Sequence, residues 1–213
     1  MSQEKLYPHA LTIVDRIKDK LGITKTEPDV VLQRIINSIT DFIENECNRR
    51  FKETTYTDEI YSVNGERQSH IFLKQAPVTA LTSAKYRQGA IGTPTWGTYT
   101  ANDYELSGDG KSGIVKFYTL LTQGLTPGNN TVKISYTAGY KISWPDAGNT
   151  ALHTLPADLT ELAERLVIKA YKKREMPGKS TEKFDTGFIT WNTALDDDEK
   201  SILSSYRRLT PFV

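Results

Sequence analysis

Several groups of residues in this sequence have types and spacings that could do chemistry. Ser107-Gly108-Asp109-Gly110-Lys111-Ser112-Gly113 has the glycines, hydroxyls and lysine of a loop that cradles phosphate. It lacks the following apolar helix whose N-terminus would face the anion, so a turn between strands is the plainer reading. Asp196-Asp197-Asp198-Glu199 could recruit a divalent cation through carboxylate oxygens. The same acids suit the first turn of a helix, where the dipole stabilises negative charge, and that reading is preferred. Cys47 falls on the apolar stripe of a helix and reads as a buried structural thiol, not a nucleophile. The histidines, His9, His70 and His153, are far apart in sequence, which argues against a His-built metal site. A small hydrolase acting through His70 or His153 would need a nucleophile motif, and none is recognisable nearby. G-x-x-x-x-G-K-[ST], G-x-S-x-G and H-E-x-x-H are all missing. No catalytic residue, metal or cofactor is therefore assigned.

Two further features concern partners. Residues 165–183 hold seven basic residues (Arg165, Lys169, Lys172, Lys173, Arg174, Lys179 and Lys183) against Glu175 and Glu182, a local charge of +5. A solvated helix end is one reading. A surface touching a polyanion or an acidic protein is the other, and a ring of subunits would multiply the cluster. Downstream, Phe184, Phe188, Ile189 and Trp191 lie in a segment with no clear periodicity. Aromatics in such segments tend to dock, on the same chain or on a partner.

The elements that must position these residues follow a change of period. Ala10, Ile13, Val14, Ile17 and Leu21 predict a first helix at about 9–21, stopped by Gly22. Thr26-Glu27-Pro28-Asp29 predicts a capped start for a second helix running to about residue 50. Its apolar stripe is Leu32, Ile35, Ile36, Ile39, Phe42, Ile43 and Cys47, and its polar face carries Arg34, Asn37, Asp41, Glu44 and Arg49. From residue 53 the pattern turns β-like. Asn64-Gly65 predicts a hairpin joining a strand ending at Val63 to a partner at 69–74. Further strands are expected at 77–87, 98–106, 113–118 and 131–137, forming an antiparallel sheet, sandwich or barrel. Pro156 then opens a third helix to about residue 175, with acids early and Arg165–Arg174 late, as the helix dipole favours. A short helix is expected at about 195–207.

Composition narrows the class. The chain of 213 residues has 27 basic and 26 acidic side chains, a net charge of +1, which argues against a broad nucleic-acid grip. One cysteine excludes an internal disulfide and a multi-cysteine zinc site. No apolar run approaches the roughly 20 residues that span a bilayer. The N-terminus lacks a signal-peptide core, so production in the cytoplasm is expected. The expected fold is α+β. A small helical bundle is built from residues 1–52 and 156–178, an antiparallel β domain is inserted at 53–155, and an extended tail covers 179–213. The two helical ends should pack together, because neither makes an adequate core alone.

In order, these pieces resemble a family. Residues 31–51, VLQRIINSITDFIENECNRRF, are similar to the hallmark helix of bacteriophage head–tail connector (adaptor, or head-completion) proteins. Tyr61-Ser62-Val63-Asn64-Gly65, Ile71-Phe72-Leu73 and Pro77-Val78 resemble its first hairpin. Lys133–Tyr140 resembles its closing strand, Leu155–Arg174 its C-terminal helix, and Ile202–Arg208 its tail. The resemblance implies a structural, non-catalytic virion protein of the neck, made in the host bacterial cytoplasm. It implies a ring, usually twelvefold, below the portal, which extends the DNA channel and offers a platform to neck or tail-completion proteins. Contact with phage DNA would be transient and non-specific, and no membrane is involved. It makes Phe184, Phe188, Ile189, Trp191, Tyr206, Arg207 and Arg208 candidates for portal docking. Arg165, Lys169, Lys172, Lys173 and Arg174 become candidates to face the channel or a polyanion. The competing expectation is a nucleic-acid-binding module using 165–183, with Tyr and Trp as stacking platforms.

Overall fold

The computed structural model describes residues 5–63, 68–88, 92–118, 128–144, 153–174, 181–184, 187–190 and 195–208. They form two compact units. The helical unit joins residues up to Arg49 with Lys141–Arg208, and the β unit is Arg50–Tyr140.

The helical unit contains α1 (Val14–Leu21), α2 (Asp29–Cys47), α3 (Ala157–Arg174) and α4 (Asp197–Tyr206). The centres of the expected stripes are buried, and Ile35, Ile39 and Phe42 at the border of the α2 stripe are half-buried. Leu32, Ile36, Ile43 and Cys47 of α2, and Leu159, Leu162, Val167 and Tyr171 of α3, are at most 8 % exposed. Ile17, Leu32, Ile36, Val167 and Tyr171 meet with Ala10 in one cluster, so the two ends of the chain share a core. Each such Leu or Ile is worth about 1.5–3 kcal/mol when removed from water.

Three local expectations differ. The first helix starts at Val14, not near residue 9. The preceding backbone instead bonds to α2 side chains: Tyr7 N–H donates to Asn37 Oδ1 (2.9 Å) and Leu11 N–H to Thr40 Oγ1 (3.3 Å). For the same reason Asn37, Thr40 and Glu44, polar residues on α2, are buried. The hydroxyl of Thr26 does not cap α2. Pro28 occupies the N-cap, and the Thr26 carbonyl accepts from the Asp29 N–H (3.0 Å).

A buried acid ties α3 to the N-terminal helix. Glu164 is fully buried. Its carboxylate takes Thr12 Oγ1 (3.2 Å) and Arg16 Nε (2.5 Å) on Oε1, and Lys20 Nζ (2.6 Å) on Oε2. Burial works to raise the Glu164 pKa, but the bonds from Lys20 and Arg16 and their charges outweigh it and hold it below the ordinary value. The Arg16 guanidinium also lies 5.8 Å from the Trp144 ring centroid. Trp144 Nε1 in turn donates to the Ala10 carbonyl (3.1 Å). The stretch before α3 is thus fastened to the same N-terminal segment.

Among its described residues the β unit has two open antiparallel sheets and no barrel. Its strands are β1 (Thr54–Val63), β2 (His70–Phe72), β3 (Val78–Gln88), β4 (Thr95–Thr98), β5 (Tyr104–Leu106), β6 (Ile114–Phe117) and β7 (Gly128–Ala138). The sheet orders are β1-β7-β3-β4 and β2-β6-β5. Val63, Ala84, Ile134 and Tyr136 from the first sheet meet Ile71, Val115 and Phe117 from the second in one core. Among the described residues the expected pairing of β1 with β2 does not occur. β1 pairs with β7 (Tyr56↔Tyr136) and β2 with β6 (Ile71↔Val115), while Asn64-Gly65 lies outside the described residues. The strand expected at 98–106 is split into β4 and β5. The Asp103 carboxylate turns the chain there, accepting from Thr100 N–H and Oγ1, both at 2.7 Å.

Among the described residues of 179–213, two strands occur where no periodicity predicts them, and α4 is the short helix expected at about 195–207. β8 (Thr181–Phe184) and β9 (Gly187–Thr190) form a two-stranded antiparallel hairpin, and α4 follows.

Glu164→Gln keeps the size of the side chain and removes its charge. It should cost about 2–3 kcal/mol, the worth of hydrogen bonds to charged groups, in urea unfolding. Because the folded carboxyl is held below its ordinary value, its contribution is complete above that value and is lost as pH falls through the lower, folded one. The parent should therefore lose more stability than Glu164→Gln on acidification. Equal stability of the two at neutral pH would show that this carboxylate does not hold α3 in place.

Candidate functional site

The basic run splits into paired and exposed parts. Arg165 bridges to Glu161 one turn back (3.1 Å). Lys169 is taken by α4: its Nζ lies 2.6 Å from Asp196 Oδ2 and 2.8 Å from Glu199 Oε1. Burial disfavours the Lys169 charge, but the hydrogen bonds it donates to Asp196 and Glu199 outweigh that and raise the pKa. The acidic run Asp196–Glu199 thus receives a lysine of its own chain. It also starts α4 through a capping box in which Glu199 Oε2 accepts from the Asp196 N–H (2.9 Å). Lys172, Lys173 and Arg174 are exposed at the end of α3, with the Arg174 guanidinium 4.7 Å from the Tyr171 ring centroid. Tyr171, Lys172 and Arg174 border an open cleft of about 610 Å³ with Leu21, Ile23, Lys25, Glu27, Pro28 and Val31. Its wall combines apolar side chains with three cations and one acid. Lys179 lies outside the described residues, and for Lys183 only the backbone, in β8, is described.

The docking candidates separate similarly. Phe184 ends β8, and Phe188 and Ile189 lie in β9, paired with Lys183 and Glu182. Trp191 lies outside the described residues. Tyr206 is engaged within the helical unit. Its hydroxyl donates to the Asp158 carboxylate (2.7 Å to Oδ1), and its carbonyl accepts from Arg49 Nη1 (3.2 Å). Arg207 caps α4, and the Arg208 N–H donates to the Cys47 carbonyl (2.9 Å). Tyr206 and Arg208 thus fasten the end of α4 to α2 and α3.

Cys47 is the structural thiol its position predicts. It is fully buried, its Sγ lies 3.7 Å from the Leu203 carbonyl, and burial pushes its pKa up to about 11. The glycine-rich run is a hairpin turn. The Gly110 carbonyl accepts from Val78 N–H (2.9 Å) and the Gly113 carbonyl from Leu73 N–H (2.8 Å). Gly110 has φ +79, and a Cβ there would sit 2.2 Å from the Val78 carbonyl oxygen, so glycine is needed for packing. His70 Nδ1 lies 2.8 Å from Ser69 Oγ on the exposed edge strand β2. No carboxylate hydrogen-bonds its ring among the described residues. His153 Nδ1 lies 3.0 Å from the Ser143 carbonyl and its ring packs on Trp144, which makes it a staple of the segment before α3.

One grouping could not be found from spacing. The structure brings His9 beside Asp41 and Glu44 of α2, residues more than thirty positions away. Only the path of the N-terminal segment over α2 connects them.

A family model described as head completion protein matches residues 10–209. The chain belongs to the head completion protein family. That family match spans both units and all four helices. The comparison with curated proteins found no match. Among solved structures, the fold is similar to a chain in "Neck of empty GTA particle computed with C6 symmetry", with TM-score 0.56, 16 % identity, and coverage of 99 % of this chain and 96 % of that one. It is also similar to a chain in "Virion of native gene transfer agent (GTA) particle", with TM-score 0.51, 17 % identity, and coverage of 99 % and 96 %. At these identities the likeness establishes the fold. No helix among the described residues of this head completion protein is long and apolar enough to cross a membrane.

If α4 seals the body, Cys47 should resist a thiol-modifying reagent in the native protein and react only as the helical unit opens. Leu203→Ala, at a cost of about 2–5 kcal/mol for a buried leucine, should speed labelling markedly. Fast labelling of the parent would mean that α4 does not cover the thiol.

Proposed function

We propose that this chain is a structural component of the neck of a tailed phage or phage-like particle. It assembles as a ring beneath the portal, extends the DNA channel, and gives neck or tail-completion proteins their platform. The observation that carries this proposal is the head completion match over residues 10–209, which takes in both the helical and the β unit. The neck of the similar gene transfer agent particle was computed with C6 symmetry, and a ring of six or twelve copies satisfies such an axis. Twelve is the number we propose, from the resemblance of the hallmark helix. The role needs no catalysis.

The β8–β9 hairpin, which carries Phe184, Phe188 and Ile189, is the proposed portal anchor, together with Trp191 next to it in sequence. An isolated two-stranded hairpin is marginally stable in water, so a partner surface would add most of its order. Tyr206 and Arg208 support it indirectly, by fixing α4 to the body. Lys172, Lys173 and Arg174 are the cations proposed to meet passing DNA, through phosphates and without sequence readout. Arg165 and Lys169 contribute less, because their charge is already paired. The same pairing weakens the competing proposal of a nucleic-acid-binding module. Only part of the 165–183 charge remains for a polyanion.

Truncation after Gly178 would strip α4 from Cys47 and Lys169 and so disturb the body as well as docking. The cleaner test deletes residues 181–190 and keeps α4. The parent should cosediment with purified portal rings and the deletion should not, while both keep the same helical content. A Lys172→Glu, Lys173→Glu, Arg174→Glu protein should still dock, but particles carrying it should retain or eject DNA poorly. A parent that neither self-associates nor binds portal rings would overturn the proposal.

A further inference from the structure

We propose that His9, Asp41 and Glu44 form a site for one divalent transition-metal ion, with Zn²⁺ the best fit. One ligand atom from each lies within 4.8 Å of the other two. Asp41 and Glu44 are three apart on α2 and so project from the same face. His9 reaches that face because the backbone on both sides of it is fastened to α2. Tyr7 N–H bonds to Asn37 and Leu11 N–H to Thr40. The Tyr7 ring stacks on the imidazole with centroids 5.0 Å apart, fixing its plane.

His9 Nε2 is buried and has no hydrogen-bond partner among the described residues. It stands 3.9 Å from Glu44 Oε2, beyond hydrogen-bond reach, and the Glu44 side chain is only 2 % exposed. Donors bound to tetrahedral zinc at about 2.0–2.2 Å lie roughly 3.3–3.5 Å apart, so small side-chain movements would close the set. An imidazole with two carboxylates suits zinc or manganese, whereas magnesium and calcium favour all-oxygen sets. Three protein ligands leave a fourth position for water or for a group from a neighbouring molecule. The ion would clamp the N-terminal segment to α2, in the unit whose core both chain ends build.

The test uses the full chain, stripped with a chelator and titrated with Zn²⁺ in calorimetry and thermal unfolding. Saturable binding of one Zn²⁺ per chain is expected, with a rise in melting temperature and little response to Mg²⁺. His9→Gln and Asp41→Asn, both at partly exposed positions, should each weaken binding at least about tenfold, since even outer-shell changes cost that much. Their secondary structure in chelator should match the parent. His70→Ala and His153→Ala should bind as the parent does. Absence of saturable binding, binding undiminished in His9→Gln and Asp41→Asn, or binding lost in the His70 or His153 variant would overturn the assignment.

Discussion

The helical unit depends on one buried carboxylate. Its core is shared by residues from the start of the chain and residues beyond position 156, with the β unit intervening. Apolar stripes bring such segments together, but they specify neither which turn of α3 meets α1 nor in which direction. Glu164 supplies that register. Ionised and fully buried, it needs Thr12, Arg16 and Lys20 at once, and only one placement of α1 along α3 presents all three. The Arg16–Trp144 contact extends the same constraint to the segment that enters α3.

α4 adds a second, smaller closure of the same kind. Glu199 is buried and is matched by Lys169, while Asp196 holds the same ammonium from outside. A charge cluster that suggests polyanion binding is therefore partly internal wiring. What stays exposed is a short basic end, Lys172 to Arg174, beside a cleft with apolar walls. That is a modest charge for one protomer, and a ring would repeat it around an axis.

Much of the fold is legible in the residues, for a physical reason. Long amphipathic helices announce themselves through period, so Leu32–Cys47 and Leu159–Tyr171 could be placed on α2 and α3. Local period does not carry long-range pairing. Asn64-Gly65 suggests a hairpin, yet β1 and β2 join different sheets, because β7 and β6 are the partners that let Val63 and Ile71 enter one core. Nor does period say what covers a polar face. Asn37, Thr40 and Glu44 look solvent-facing until the N-terminal segment lies over them. The candidate sites follow the same division. The thiol of Cys47 is predictable from its place on the stripe, whereas the loss of Lys169 to α4 and the meeting of His9 with Asp41 and Glu44 are tertiary events.

The proposal that this head completion protein works as a ring at one vertex of the particle can be tested directly. The most direct measurement is imaging of purified particles that carry an epitope-tagged copy of the chain. Antibody label confined to the single vertex between head and tail, with ring-shaped density on the axis, is the predicted result. Label spread over the whole capsid, or particles that assemble fully with none of the chain present, would contradict it.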